Sequence, residues 1–92
     1  MRYEWDEAKA AGNHAKHGVA FDNVKDFEWE SALVIVDSRR DDSESRLIAV
    51  STINERLHVL VYTQRGYTIR VISLRKANER EFSNYEKASR KT

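Results

Sequence analysis

The chain has 92 residues, with 16 Lys and Arg against 15 Asp and Glu, a formal net charge of +1 and no cysteine. This length supports one small core, so the sequence reads as one globular domain over residues 1–92. The missing cysteines exclude a disulfide framework and thiolate metal sites, no long apolar run suggests a leader or membrane span, and a reducing cytoplasm is the expected compartment.

A first helix is expected from a cap at Asp6, after the aromatic Tyr3 and Trp5, through EAKAAGNHAK to a stop at Gly18. Along it Lys9, Asn13 and Lys16 recur at four and three residues, a polar stripe whose default reading is a solvated face. Lys16 and His17 fall near its end, where cations favour the dipole and the last carbonyls. A second short helix is expected with Asp22 as its cap, setting Val24 and Phe27 on one apolar side.

Four strands follow at Ala32–Asp37, Arg46–Ile53, Leu57–Gln64 and Tyr67–Arg75, and their short connections imply an antiparallel meander. Asp37, Asp41, Asp42 and Glu44 could suggest a cation site, but the interleaved Arg39, Arg40 and Arg46 make a salt-bridged loop the better reading. No metal and no cofactor is assigned. The last helix starts at Asn78 with Glu81 completing a capping box, and places Phe82, Tyr85 and Ala88 along one side, Phe82 in the core. The expected fold is therefore α+β: two N-terminal helices, a four-stranded antiparallel sheet and a C-terminal helix.

Charge is concentrated in one stretch. Between Arg56 and Lys76 lie five basic side chains, Arg56, Arg65, Arg70, Arg75 and Lys76, and no acid. A rigid hairpin carrying such charge suits an ordered phosphate substrate. If Asn54 and Glu55 form one turn and Arg65 and Gly66 the next, Ser51, His58 and Ser73 form a row flanked by Arg56 and Arg75, with Tyr62 opposite Ile69. The other face then carries Ile48, Val50, Leu57, Val59, Val61, Ile72 and Leu74 as the main core, with Arg46, Thr63, Thr68 and Arg70 at its far end. Arg70 and Arg75 are five residues apart, so regular alternation puts them on opposite faces unless a bulge intervenes, and one of them is expected to play a different role.

A histidine near arginines and hydroxyls can move a proton while guanidinium groups hold a phosphate, the minimum for RNA cleavage without a metal, since RNA supplies its own 2′-hydroxyl nucleophile. The plainer alternative is a half-buried strand histidine bonded to Ser51 or Ser73, and a solvated basic edge.

Trp5-Asp6, Lys9, Asn13 and Lys16-His17-Gly18-Val19 with Phe21, then Glu44 with Arg46, then Tyr62-Thr63, Arg70, Ile72-Ser73, Arg75, Ala77, Glu81 and Tyr85 together resemble the BrnT toxins of type II toxin–antitoxin systems. The resemblance covers nearly the whole chain. It implies a RelE-like fold and an endoribonuclease that arrests translation and growth, neutralised by a BrnA-type antitoxin whose ribbon-helix-helix part binds operator DNA. The candidate catalytic residues are Arg75 and Arg70 as phosphate clamps, His58, Glu44 and Lys16 for proton transfer, and Tyr85 to stack or donate a proton. Arg46, Arg56, Ser73, Lys76 and His17 are candidates for holding substrate. The competing reading is a non-catalytic module that grips nucleic acid or an antitoxin.

Overall fold

The computed structural model describes residues 1–37 and 46–90. In chain order these form β1 (Arg2–Glu4), α1 (Glu7–His17), two 3₁₀ helices (Phe21–Asp26 and Trp29–Ser31), β2 (Leu33–Asp37), β3 (Arg46–Ile53), β4 (Arg56–Arg65), β5 (Thr68–Lys76) and α2 (Glu79–Arg90). The strands make one five-stranded sheet in the order β1-β5-β4-β3-β2. β1 runs parallel to β5 and the other neighbours are antiparallel.

Two expectations are corrected here. The sheet is mixed and five-stranded, because Arg2–Glu4 adds a strand that the expected four-stranded antiparallel sheet lacks. Three residues are too few to show a period, and only Tyr3, packed against the core, marks β1 as more than a lead-in to α1. The expected second N-terminal helix is a 3₁₀ helix without a side-chain cap, and Asp22 lies inside its first turn. Its buried residues Phe21, Val24 and Phe27 recur every three positions, which matches the three-residue turn of a 3₁₀ helix.

α1 starts and stops as its sequence dictates. The Asp6 carboxylate accepts from the amides of Ala8 and Lys9 at 2.8 and 3.1 Å, and Gly18, at φ 71°, donates its amide to His14. Asn13, expected on a solvated stripe, is instead buried: its amide donates to the carbonyls of Val19 and Leu74, and its oxygen accepts from the Leu74 amide. It ties α1 to β5, and leaves none of those backbone groups unpaired.

The first hairpin follows its turn. Asn54 and Glu55 both have positive φ, 48° and 69°, and the two-residue turn sets Ser51 opposite His58. The second hairpin turns at Gly66 and Tyr67, so that Arg65 pairs with Thr68 and Tyr62 with Val71, not with Ile69. A bulge between Val61 and Tyr62 then shifts the register again, and His58 meets Lys76, not Ser73. The predicted Ser51-His58-Ser73 row is therefore broken.

The core face is also the reverse of the one expected, because Val19 and the 3₁₀ segment pack on the side of Ala49 and Leu60 while the β3–β4 pairing is as expected. The core lies on the side of Ala49, Ile53, Leu60, Tyr62, Ile69, Val71 and Leu74, closed over by Val19, Phe21, Val24 and Phe27. Edge-to-face contacts of Trp5 on Phe21, and of Trp29 on Phe27 and Tyr62, complete it. Leu74 belongs to this closed face, because the extra residue of the bulge moves it there. Ile48, Val50, Val59 and Val61, expected as the main core, line an open groove on the other side. Phe82 is not core either; half of it faces solvent.

Candidate functional site

The open face carries a groove of about 580 Å³. Its floor is aliphatic, made by Leu33 and Ile35 of β2, Ile48 and Val50 of β3, and Val59 and Val61 of β4. One end is walled by Arg75 and, from α2, Glu81, Asn84 and Tyr85. At the other end strand alternation sets a row of polar side chains. Asp37 pairs with Arg46, Thr63 with Arg70, and Arg70 with Glu4.

The bulge decides what this face can do. Arg75 pairs with Val59 and Arg70 with Thr63, positions four residues apart on β4, so both arginines point to the open side. They stand about 13 Å apart along the strand. Each is drawn away from the other by a carboxylate: Arg70 donates to Glu4 at 2.9 Å, and Arg75 grips Glu81 through two bonds of 2.8 and 2.7 Å. The open face thus presents two separate cationic positions, Arg75 in the wall of the groove and Arg70 beyond the lining, past the end that Asp37 marks.

Glu81 does two jobs. It forms the expected reciprocal cap with Asn78, the carboxylate accepting from the Asn78 amide while the Asn78 side chain accepts from the Glu81 amide. The same carboxylate orients Arg75. That hydrogen bond holds Glu81 below the usual carboxylate range and raises Arg75 further, so both stay charged. The sequence reading saw only the cap; an acid in the first turn of a helix that directly follows a strand arginine was the available signal. Tyr85 donates its phenol to the Ser31 carbonyl at 2.8 Å, tying α2 to the start of β2.

The other candidates lie elsewhere. His58 is on the closed face, 5% exposed, with Nδ1 2.7 Å from the Arg56 carbonyl. Neither bond expected of it, to Ser51 or Ser73, forms: Ser51 donates to the Glu28 carbonyl and Ser73 to Asn13. Burial, and then the nearby charges of Lys76 and Arg56, push the His58 imidazole below its ordinary value and outweigh the opposing backbone bond, so it is neutral at pH 7. Arg56 and Lys76 are exposed on this same side of the sheet, Lys16 is exposed and His17 half-buried in the last turn of α1. Glu44, with Arg39, Arg40, Asp41 and Asp42, lies outside the described residues. Among those described, no group of three or more His, Cys, Asp or Glu could hold a metal ion. No helix among them is long and apolar enough to cross a membrane.

Comparison with known proteins places this geometry in a family. A model described as "Ribonuclease toxin, BrnT, of type II toxin-antitoxin system" matches residues 5–81, which spans Trp5 to Glu81 and so both ends of the groove. The crystal structure of the Brucella abortus ribonuclease toxin, BrnT, superposes with a TM-score of 0.67 at 30% identity, covering 86% of this chain and 99% of that one. No curated protein matches the sequence.

Proposed function

The chain belongs to the BrnT family of ribonuclease toxins of type II toxin–antitoxin systems, and on that premise we propose that it is an endoribonuclease whose substrate lies in the groove of the open face. The observation that carries this reading is the bulge that turns Arg70 and Arg75 to one side, at opposite ends of an aliphatic floor. Aliphatic side chains accept the flat faces of unstacked bases, and separated guanidiniums hold successive phosphates.

Cleavage needs no protein nucleophile and no metal ion. The substrate's 2′-hydroxyl loses its proton and attacks the adjacent phosphorus, the bond to the 5′-oxygen breaks, and that oxygen takes up a proton, leaving a cyclic phosphate and a free 5′-hydroxyl. Arg75, its plane fixed by Glu81, holds the phosphate and stabilises the charge that develops on it. Tyr85, on the groove wall, donates to the leaving oxygen in place of the Ser31 carbonyl. Glu44, two residues before Arg46 in the chain, takes the base role; His58 has no part, being enclosed on the other face. Arrest of translation and growth follows from the loss of RNA, in the cytoplasm.

The neutralising partner is a BrnA-type antitoxin, bound to operator DNA through a ribbon-helix-helix domain. β2 offers it an open sheet edge with Val34, Ile35 and Val36 about half or more exposed beside the groove. Occupying that surface would shut out RNA.

The test is incubation of the purified protein with a defined single-stranded RNA in chelator, mapping product ends, with the Arg75→Ala and Glu44→Gln proteins alongside. Cyclic-phosphate ends that disappear with either substitution are the expected result. No cleavage by folded protein, with or without ribosomes, would overturn the nuclease reading in favour of a non-catalytic binding module.

A further inference from the structure

Beyond the groove, strand alternation collects a second set of charges on the same face. Arg2 of β1 pairs with Thr68 of β5, which pairs with Arg65 of β4; one row inward, Glu4, Arg70 and Thr63 are joined across the same strands. Tyr3 points into the core, so its neighbours Arg2 and Glu4 face the open side, as the Glu4 to Arg70 bond requires. Arg46 shares the face with Ile48 and Val50. Arg2, Arg46, Arg65 and Arg70 therefore share this end of the open face with Glu4 and Asp37. Tyr67, 87% exposed, caps the hairpin between Arg65 and Thr68.

We propose that the arginine end, with Tyr67, is an extension of the RNA-binding site that holds the backbone of a single strand leaving the groove toward β1, so that the protein selects strands longer than the groove itself. This rests on the nuclease reading for the identity of its ligand and names the substrate as an extended single strand. The physical fit is that of single-strand binders generally: a cationic track for phosphates with an exposed aromatic on which a base can stack. β1 is the terminal strand of the sheet and pairs with β5 just after the Gly66–Tyr67 turn, so among the described residues no further element lies beyond it.

Binding and cleavage are read separately. Dissociation constants are measured for 2′-deoxy strands of about 4 and about 16 nucleotides, which bracket the span of known single-strand sites and cannot be cut by 2′-hydroxyl attack. The Arg2→Gln/Arg65→Gln double variant and Tyr67→Ala are compared with the unaltered protein, and cleavage of the matching RNAs is followed alongside. We expect the long strand to bind at least tenfold tighter than the short one, and the double variant to lose most of that advantage. Its salt slope on the long strand should be shallower by about 1.4, two phosphates' worth at roughly 0.7 each. Tyr67→Ala should weaken the long strand alone. An unaltered protein without length preference, or a double variant that keeps both the preference and the slope, overturns the extension. So does a polyglutamate probe that binds as tightly and with the same sensitivity, which would make this end a seat for acidic protein segments. No cleavage by the unaltered protein, with the length effect intact, would instead sink the nuclease reading and leave the extension standing.

Discussion

The two faces of the sheet solve opposite problems. On the closed face every buried polar group has a partner: Asn13 bridges α1, the Val19 carbonyl and β5, Ser51 bonds the Glu28 carbonyl, and His58 sits neutral against the Arg56 carbonyl. On the open face most aliphatic side chains of the groove are left partly exposed, arginines are held apart, and the buried Thr63 hydroxyl has no partner among the described residues. One face is built for stability and the other for contact with something else, and the lesson is that unmet polar and apolar surface locates the site better than any single charged residue.

The largest test of this division is Phe21→Ala. Phe21 is 1% exposed and wedged beneath Trp5, so its loss should cost about 3–5 kcal/mol. Denaturant unfolding should show that loss, while the fraction still folded cleaves RNA at the ordinary rate. A folded Phe21→Ala protein without activity would mean that the faces are coupled. Arg75→Ala should do the reverse, lowering cleavage on the order of a hundredfold with little change in the unfolding midpoint. A partly exposed ion pair such as Arg75–Glu81 contributes little to stability, so a large midpoint shift would show that the pair is structural.

How far the sequence could reach follows from the same contrast. Local chemistry was legible: the Asp6 cap, the Gly18 stop, the Asn78–Glu81 box and the Asn54–Glu55 turn all depend on residues a few positions apart. The faces were not, because β3 and β4 carry apolar residues on both sides, Ile48, Val50, Val59 and Val61 against Ala49, Ile53 and Leu60, and the side bearing Ser51 and His58 reads as the polar one on paper. Burial of those two against backbone carbonyls comes only from the 3₁₀ segment and the hairpin register. The bulge had no glycine to announce it, so regular alternation assigns Arg70 and Arg75 to different faces and different roles, whereas the extra residue brings both to the open side. Asn13 was missed for a similar reason, since its partners Val19 and Leu74 include one 61 residues away.

A smaller effect separates the faces within one residue. Replacing Thr63 by Val removes a buried hydroxyl that has no partner among the described residues, so stability should rise by about 1 kcal/mol. Thermal unfolding would register the gain. If Thr63→Val is destabilising, the hydroxyl is satisfied in solution and the open face leaves less polar surface unmet than its described contacts indicate.

The subtlest expectation concerns His58 and the closed face alone. Its pKa is lowered from 6.5, first by burial and then by Lys76 and Arg56. The unfolded chain therefore binds the proton more tightly than the folded one, and protonation favours unfolding. Above about pH 6.5 neither form carries the proton and His58 contributes no pH dependence. Below it, stability should fall with pH until the folded-state pKa is passed, with a slope of less than about 1.4 kcal/mol per unit. Gln at position 58 keeps a polar group near the Arg56 carbonyl but cannot titrate, so His58→Gln should flatten the stability profile below about pH 6.5. Because His58 stands across the sheet from the groove, the pH dependence of cleavage should be the same in both proteins. A shifted activity profile in His58→Gln would return this histidine to the chemistry and break the separation of the two faces.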